Sequence, residues 1–145
     1  MNTFCKFQVK TKHFEMDNKL FLDIGDYFFT VFHSLLILFN LFAWIWKPLR
    51  KWHLWTISLT FSSWIILGIW YGWGYCPLTD WHWEILRQKG VYNLPNSYIS
   101  YLLARILKLE LPAKTVDLLT LVLALAALII SIWVNFLKKP KYKGK

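Results

Sequence analysis

The segment CPLTDWHWE, residues 76–84, holds a thiol, a hydroxyl, two carboxylates and an imidazole within nine positions. As chemistry, Cys76 would be a nucleophile or redox thiol, tuned by His82 and by a nearby helix N-terminus. A second imidazole, His33, lies inside an uncharged apolar run, and polar groups placed there are costly enough to rank first as functional candidates. A haem or metal bridging His33 and His82 is the cofactor these residues allow. No established ligand spacing accompanies them, so no metal set is assigned and no cofactor is expected. His53 cannot complete such a pair, since it falls about 20 Å from His33 by the helical rise.

Each of these residues also has a plain structural role. Pro77 can end one helix, Thr79 or Asp80 can cap the next, and Glu84 can pair with Arg87 or Gln88 one turn on. His33 can serve as a hydrogen-bonding helix-packing residue, the use that outweighs ligation. There is no CxxC pair and no serine-hydrolase elbow, so no catalytic residue is assigned and an enzyme is the lesser expectation.

Three uncharged runs must position these side chains: residues 27–46, 54–73 and 118–137. Each is long enough, at about 1.5 Å per residue, to cross a hydrocarbon core of about 30 Å. The composition agrees, with 57% hydrophobic and 17% charged residues in a chain of 145. Ten Trp are more than a small aqueous core hides, and nine of them fall near the ends of the runs, where an interface accepts a half-wet indole. Residues 1–26 are too long and too acidic for a cleaved leader.

The expected fold is therefore all-α and membrane-spanning. It has three transmembrane helices, and two short interfacial helices lie between spans two and three. One runs from Thr79 or Asp80 to about Lys89 and is closed by Gly90; the other is capped by Asn96 and turned by Pro112. Residues 1–26 form an N-terminal arm, residues 27–137 the membrane domain with an external segment at 74–117, and residues 138–145 a basic tail.

The net charge of +9 is concentrated in the Lys47, Arg50 and Lys51 link and in the tail. That pattern points to a cytoplasmic C-terminus and an external N-terminus. It also makes Lys138, Lys139, Lys141 and Lys143 lipid anchors, with the bilayer rather than nucleic acid as partner. In span two, Gly68 and Gly72 have the small-xxx-small spacing of a packing groove. Cys5 and Cys76 share the external side, which allows a disulfide between them.

His33, His53, Cys76, Pro77, Leu78, Thr79 and Glu84, with YLLARILKLELPAK leading into the last span, resemble a bacterial inner-membrane family catalogued as domain of unknown function 2784. The likeness covers about residues 24–134, and CPLT is its most specific part. It implies a multi-pass bacterial inner-membrane protein and directs attention to the 76–84 segment, but it brings no reaction.

Three classes of function remain. An accessory, assembly or interaction subunit, docking a membrane partner or a second copy at the outer face, comes first. A cofactor-binding or thiol-redox protein using His33, Cys76, His82 and Glu84 is the alternative. A transporter or channel ranks last, because three spans enclose a pathway only in an oligomer.

Overall fold

The computed structural model describes residues 3–137, with side chains from Asn18 onward. The described residues form helices and loops without a strand. Helix α1 is Thr3–Phe42, α2 Lys47–Tyr71, α3 Pro77–Gln88, α4 Tyr98–Leu107 and α5 Ala113–Leu137. Three stretches are long and apolar enough to cross a membrane: Asn18–Ile45, Lys47–Tyr71 and Ala113–Leu137. Two short helices, α3 and α4, separate the second from the third. The expected element order is the observed one.

Several boundaries differ, each for a local reason. Helix α1 does not start at Tyr27. Residues 18–26 carry no proline, and their Leu20, Phe21 and Ile24 join the exposed apolar surface of the same helix, which places Asp23 and Asp26 on it. Helix α3 begins at Pro77, whose missing N–H suits a first helical position, so Thr79 and Asp80 lie inside the first turn rather than capping it. Gly90 closes α3 as expected, at φ +85°, with the Gly90 N–H donating to the Arg87 carbonyl and the Val91 N–H to the Leu86 carbonyl. Helix α4 is entered from Ser97 in an extended conformation, not from an Asn96 cap, and ends at Lys108 in the left-handed region.

The glycine groove expected on span two is not formed. Gly72 ends the helix at φ +104°, ψ 149°, a region close to glycine-only, and its N–H donates to the Gly68 carbonyl. Gly68 is buried, and a Cβ there would meet the Cα of Trp73 at 3.5 Å, so its small size serves the chain folding back on itself. Ser63 holds that return by donating to the Tyr75 carbonyl at 3.0 Å, and Tyr71 stacks on Tyr75. A Cβ at Gly72 meets nothing, so Gly72→Ala isolates backbone strain. It should cost about 1–3 kcal/mol in reversible unfolding in detergent. An unchanged stability would rule out a strained turn here.

The chain divides into two compact units. The first comprises α1 through His33 together with Leu78–Leu94; the second comprises Ser34–Pro77 and the chain from Pro95. In the first, Trp83 and Leu86 of α3 are buried, so Trp83 is a core residue rather than the interface anchor its place in the sequence suggests. In the second, Ala43, Ile57, Ala127 and Val134 supply the buried apolar contacts among the long helices.

Candidate functional site

Helix α3 is amphipathic, and its buried stripe is His82, Trp83 and Leu86. The side chain of Ile85 on α3 packs against the backbone of α1 at Gly25, where a Cβ would lie 3.0 Å from Cδ1 of Ile85. That packing brings α3 onto Asp26, which is 3% exposed. The Nε2 of fully buried His82 lies 3.0 Å from Asp26 Oδ1, and Lys89 donates to Asp26 Oδ2 at 2.7 Å. Lys89 also pairs with Asp23 at 2.8 Å. The Thr30 hydroxyl adds a long bond of 3.4 Å to Asp26 Oδ1. Phe29 lies face to face with the His82 ring at 5.8 Å between centroids and 15° between planes. One carboxylate thus receives an ammonium, an imidazole and a hydroxyl.

Burial works against the Lys89 charge, but hydrogen bonds to Asp23 and Asp26 and the two carboxylate charges outweigh it and hold the ammonium above the ordinary lysine range. The sign follows from linkage: the Lys89 contribution is complete below the ordinary lysine range and is lost as pH rises through the elevated folded value.

The opposite face of α3 is open. Trp81, Glu84, Arg87 and Gln88 are exposed there, with Arg87 donating to Glu84 at 3.0 Å and Gln88 at 3.3 Å. These are the pairings expected of Glu84. The Gln88 hydrogen bond, then those from Arg87 and its charge, hold Glu84 below the ordinary glutamate range. Its contribution is therefore present above that range and lost as pH falls through the lowered folded value. The pairs are solvent-exposed, so the effect is small and screened by salt. Glu84→Gln should remove the low-pH loosening of α3 seen by amide exchange at low ionic strength. Identical pH dependence in the variant would show that Glu84 carries none of it.

A second polar centre lies among the long helices of the other unit. His53 and Ser131 are both fully buried. Nε2 of His53 is 2.8 Å from the Asn40 carbonyl, and Nδ1 is 2.9 Å from the Ser131 hydroxyl. A carbonyl only accepts, so Nε2 carries the proton and donates; in the neutral ring Nδ1 then accepts from Ser131. Asn135 Nδ2 donates to the Arg50 carbonyl at 3.1 Å and to the Ser131 carbonyl at 2.8 Å. Asn40 donates to the Thr60 hydroxyl at 3.0 Å. These bonds join α1, α2 and α5 where apolar contacts between spans give little preference for one register.

The expected site residues are thus dispersed among different roles. His33 is buried on α1, seven positions from Asp26 and on the same face. His82 is committed to Asp26, Thr79 and Asp80 occupy the first turn of α3, and Glu84 is on its open face. Cys76 is a half-buried free thiol just before α3. Its pairing with Cys5, and the anchoring by Lys138, Lys139, Lys141 and Lys143, lie outside the described residues. Among the described residues, no group of three His, Cys, Asp or Glu side chains is placed to hold a metal ion. Asp23, Asp26, Lys89, Ser131 and Asn135 were not anticipated. The available signal was the i, i+4, i+7 spacing of Asp26, Thr30 and His33 on one helical face.

No curated protein and no solved structure matches the chain. A family model described as "Protein of Unknown function (DUF2784)" matches residues 23–136, a stretch that opens on Asp23 and takes in Asp26, His33, His53, the 76–84 segment, Lys89 and Ser131. Matching most of its length, the chain belongs to this family.

Proposed function

We propose that this protein is a multi-pass accessory or interaction subunit of a bacterial inner membrane, which holds α3 out as a docking element for a membrane-protein partner. One observation carries the reading. Helix α3 is fixed on α1 by the hydrogen bonds of buried Asp26 to buried His82 and to half-buried Lys89, while the face turned away from them carries exposed Trp81 beside Glu84 and Gln88. An exposed Trp with adjoining polar groups, on a helix fixed from behind, has the makeup of an interface anchor. The basic link at Lys47, Arg50 and Lys51 supports an orientation with that link and the C-terminus in the cytoplasm and α3 outside.

The test is site-specific photo-crosslinking in native membranes, with the photoreactive residue at position 81 or 84 and a control at buried position 86. A discrete polypeptide adduct at 81 and 84, absent at 86, supports a docking role. Adducts to lipid alone at 81 and 84 would show that Trp81 is a membrane anchor and remove the reading.

A second reading has its own observation: His33 and His82 are both buried within the first unit. Under it the two imidazoles serve a bound haem, metal or quinone. Native mass spectrometry of gently extracted protein decides this, since added small-molecule mass lost on His33→Ala is its required result.

A further inference from the structure

The chain does not leave span two for the membrane surface; it turns back beside it. The uncharged run of α2 puts the far edge of the hydrocarbon near Trp73, and the helix ends there at Tyr71. Past the turn at Gly72, the Cα of Trp73 lies 3.5 Å from where a Cβ on Gly68 would stand. Two residues on, the Tyr75 carbonyl accepts from the Ser63 hydroxyl at 3.0 Å. Ser63 comes eight positions before Tyr71, about 12 Å below the helix end by the rise per residue. Residues 73–75 therefore run toward the middle of the bilayer, and Cys76 and Pro77 follow at that level.

The first unit gives a similar depth, measured against α1. His82 faces Phe29, Ile85 meets Gly25 and Lys89 reaches Asp23, so α3 runs antiparallel to α1. The uncharged run of α1 begins at Tyr27, which puts Asp26 at the hydrocarbon edge. Leu78 comes seven positions before Ile85, so α3 starts about 10 Å inside that edge. Asp80 is exposed, at a level where α1 is uncharged.

Lipid does not suit the surroundings of such a segment. Irregular backbone at membrane depth persists only where protein buries it or water lines it. Protein does not bury it here, since Trp73 is 87% exposed and Gly74 is exposed as well. The N–H groups of Trp73, Gly74 and Cys76 donate to no acceptor among the described residues. In hydrocarbon those donors would stay unsatisfied, and an exposed carboxylate at Asp80 would be costly. Water satisfies both.

We propose that the chain from Gly72 to Asp80 is re-entrant, and that residues 73–76 line a water-filled recess in the leaflet opposite the basic link. The recess admits water and small polar solutes and brings the Cys76 thiol within their reach, about 12 Å below the surface. Glu84, Arg87 and Gln88 stay at or above the level of Asp26, so the docking role of the open face of α3 is separate from it.

Spin-label power saturation of the full-length protein in lipid nanodiscs tests this, with oxygen reporting lipid and a nickel chelate reporting water. The first label sits on native Cys76 in a Cys5→Ser background. The others sit at Trp73→Cys and Ile65→Cys, each with Cys5→Ser and Cys76→Ser. Ile65 is 50% exposed on α2 between Ser63 and Gly68, so it reports what surrounds the helix at that depth. Nickel access at 73 and 76 should exceed that at 65 by about tenfold, because a polar chelate is excluded from hydrocarbon. Oxygen should dominate at 65. Position 76 carries its native thiol, so that measurement stands even if Trp73→Cys does not fold. A label at 73 or 76 that favours oxygen, or that neither reagent reaches, would overturn the recess. Equal nickel access at 65 and 76 would put this level of α2 outside the hydrocarbon and overturn the depth.

Discussion

Replacing Asp26 with alanine should release α3 from α1 and give the largest local effect of any single substitution in the first unit. The change deletes the shared acceptor of His82 and Lys89: fully buried His82 loses its carboxylate, and Lys89 keeps only the more exposed Asp23. Removing one partner from a buried charged pair costs about 3–5 kcal/mol, far above the value of the pair to stability, because the remaining charge keeps its desolvation cost. Hydrogen exchange across residues 77–91 measures it: protection should fall by about two to four orders of magnitude, the kinetic image of that free energy. Asp23→Ala is the control. Asp23 is 38% exposed and Lys89 retains Asp26, so exchange there should change by less than about tenfold. Equal effects at the two positions would mean that Asp26 is not the centre of the cluster.

His53→Ala should have the largest effect in the second unit. It removes two hydrogen bonds at once, to the Asn40 carbonyl and to Ser131, and opens a cavity at a site with no exposure. Hydrogen bonds between membrane helices average about 0.6 kcal/mol and reach about 1.7. Truncating a buried ring adds a packing loss, so the total should be about 2–4 kcal/mol. Ser131→Ala should cost about 1 kcal/mol, and the two together less than their sum, since His53→Ala has already deprived Ser131 of its acceptor. Reversible unfolding in detergent supplies all four corners of the cycle. Additive losses would mean that His53 and Ser131 do not act as a pair.

The parts of this fold legible from sequence are those where one physical effect dominates. Residues 54–73 and 118–137 read as spans because nothing but burial in lipid explains uncharged runs of that length; the second lies within a helix of membrane length, and the first does so up to Tyr71. Gly90 and the Glu84–Arg87 pairing were legible because capping and i, i+3 pairing are local rules. What was hidden depends on distant partners. Asp26 looks like the acidic end of an arm until Lys89, 63 positions away, is placed against it. His53 looks like a residue at the edge of a basic link until Ser131 meets it from 78 positions away. Gly72 misleads for the opposite reason. Its spacing from Gly68 matches a packing motif, yet the helix stops there, and a backbone at φ +104° needs glycine for conformation, not for closeness. By residue type Trp83 suits the interface, yet its side chain lies on the stripe of α3 that is buried with His82.

The long sequence gap between Asp26 and Lys89 also sets a timetable. At about 5–20 residues per second, a ribosome needs about 3–13 s to make the chain between them. Through that interval Asp26 has emerged without the ammonium that later neutralises it, since the two are separated by 63 positions. A bare carboxylate is poorly tolerated in hydrocarbon, so the segment around Asp26 is held at the water boundary until Lys89 arrives. The upper limit of α1 in the bilayer is then set during biogenesis by a residue not yet synthesised when that helix forms. Nascent chains stopped just before Lys89 would still leave this end of α1 open to aqueous thiol reagents at an engineered cysteine, and chains stopped well beyond it would close it.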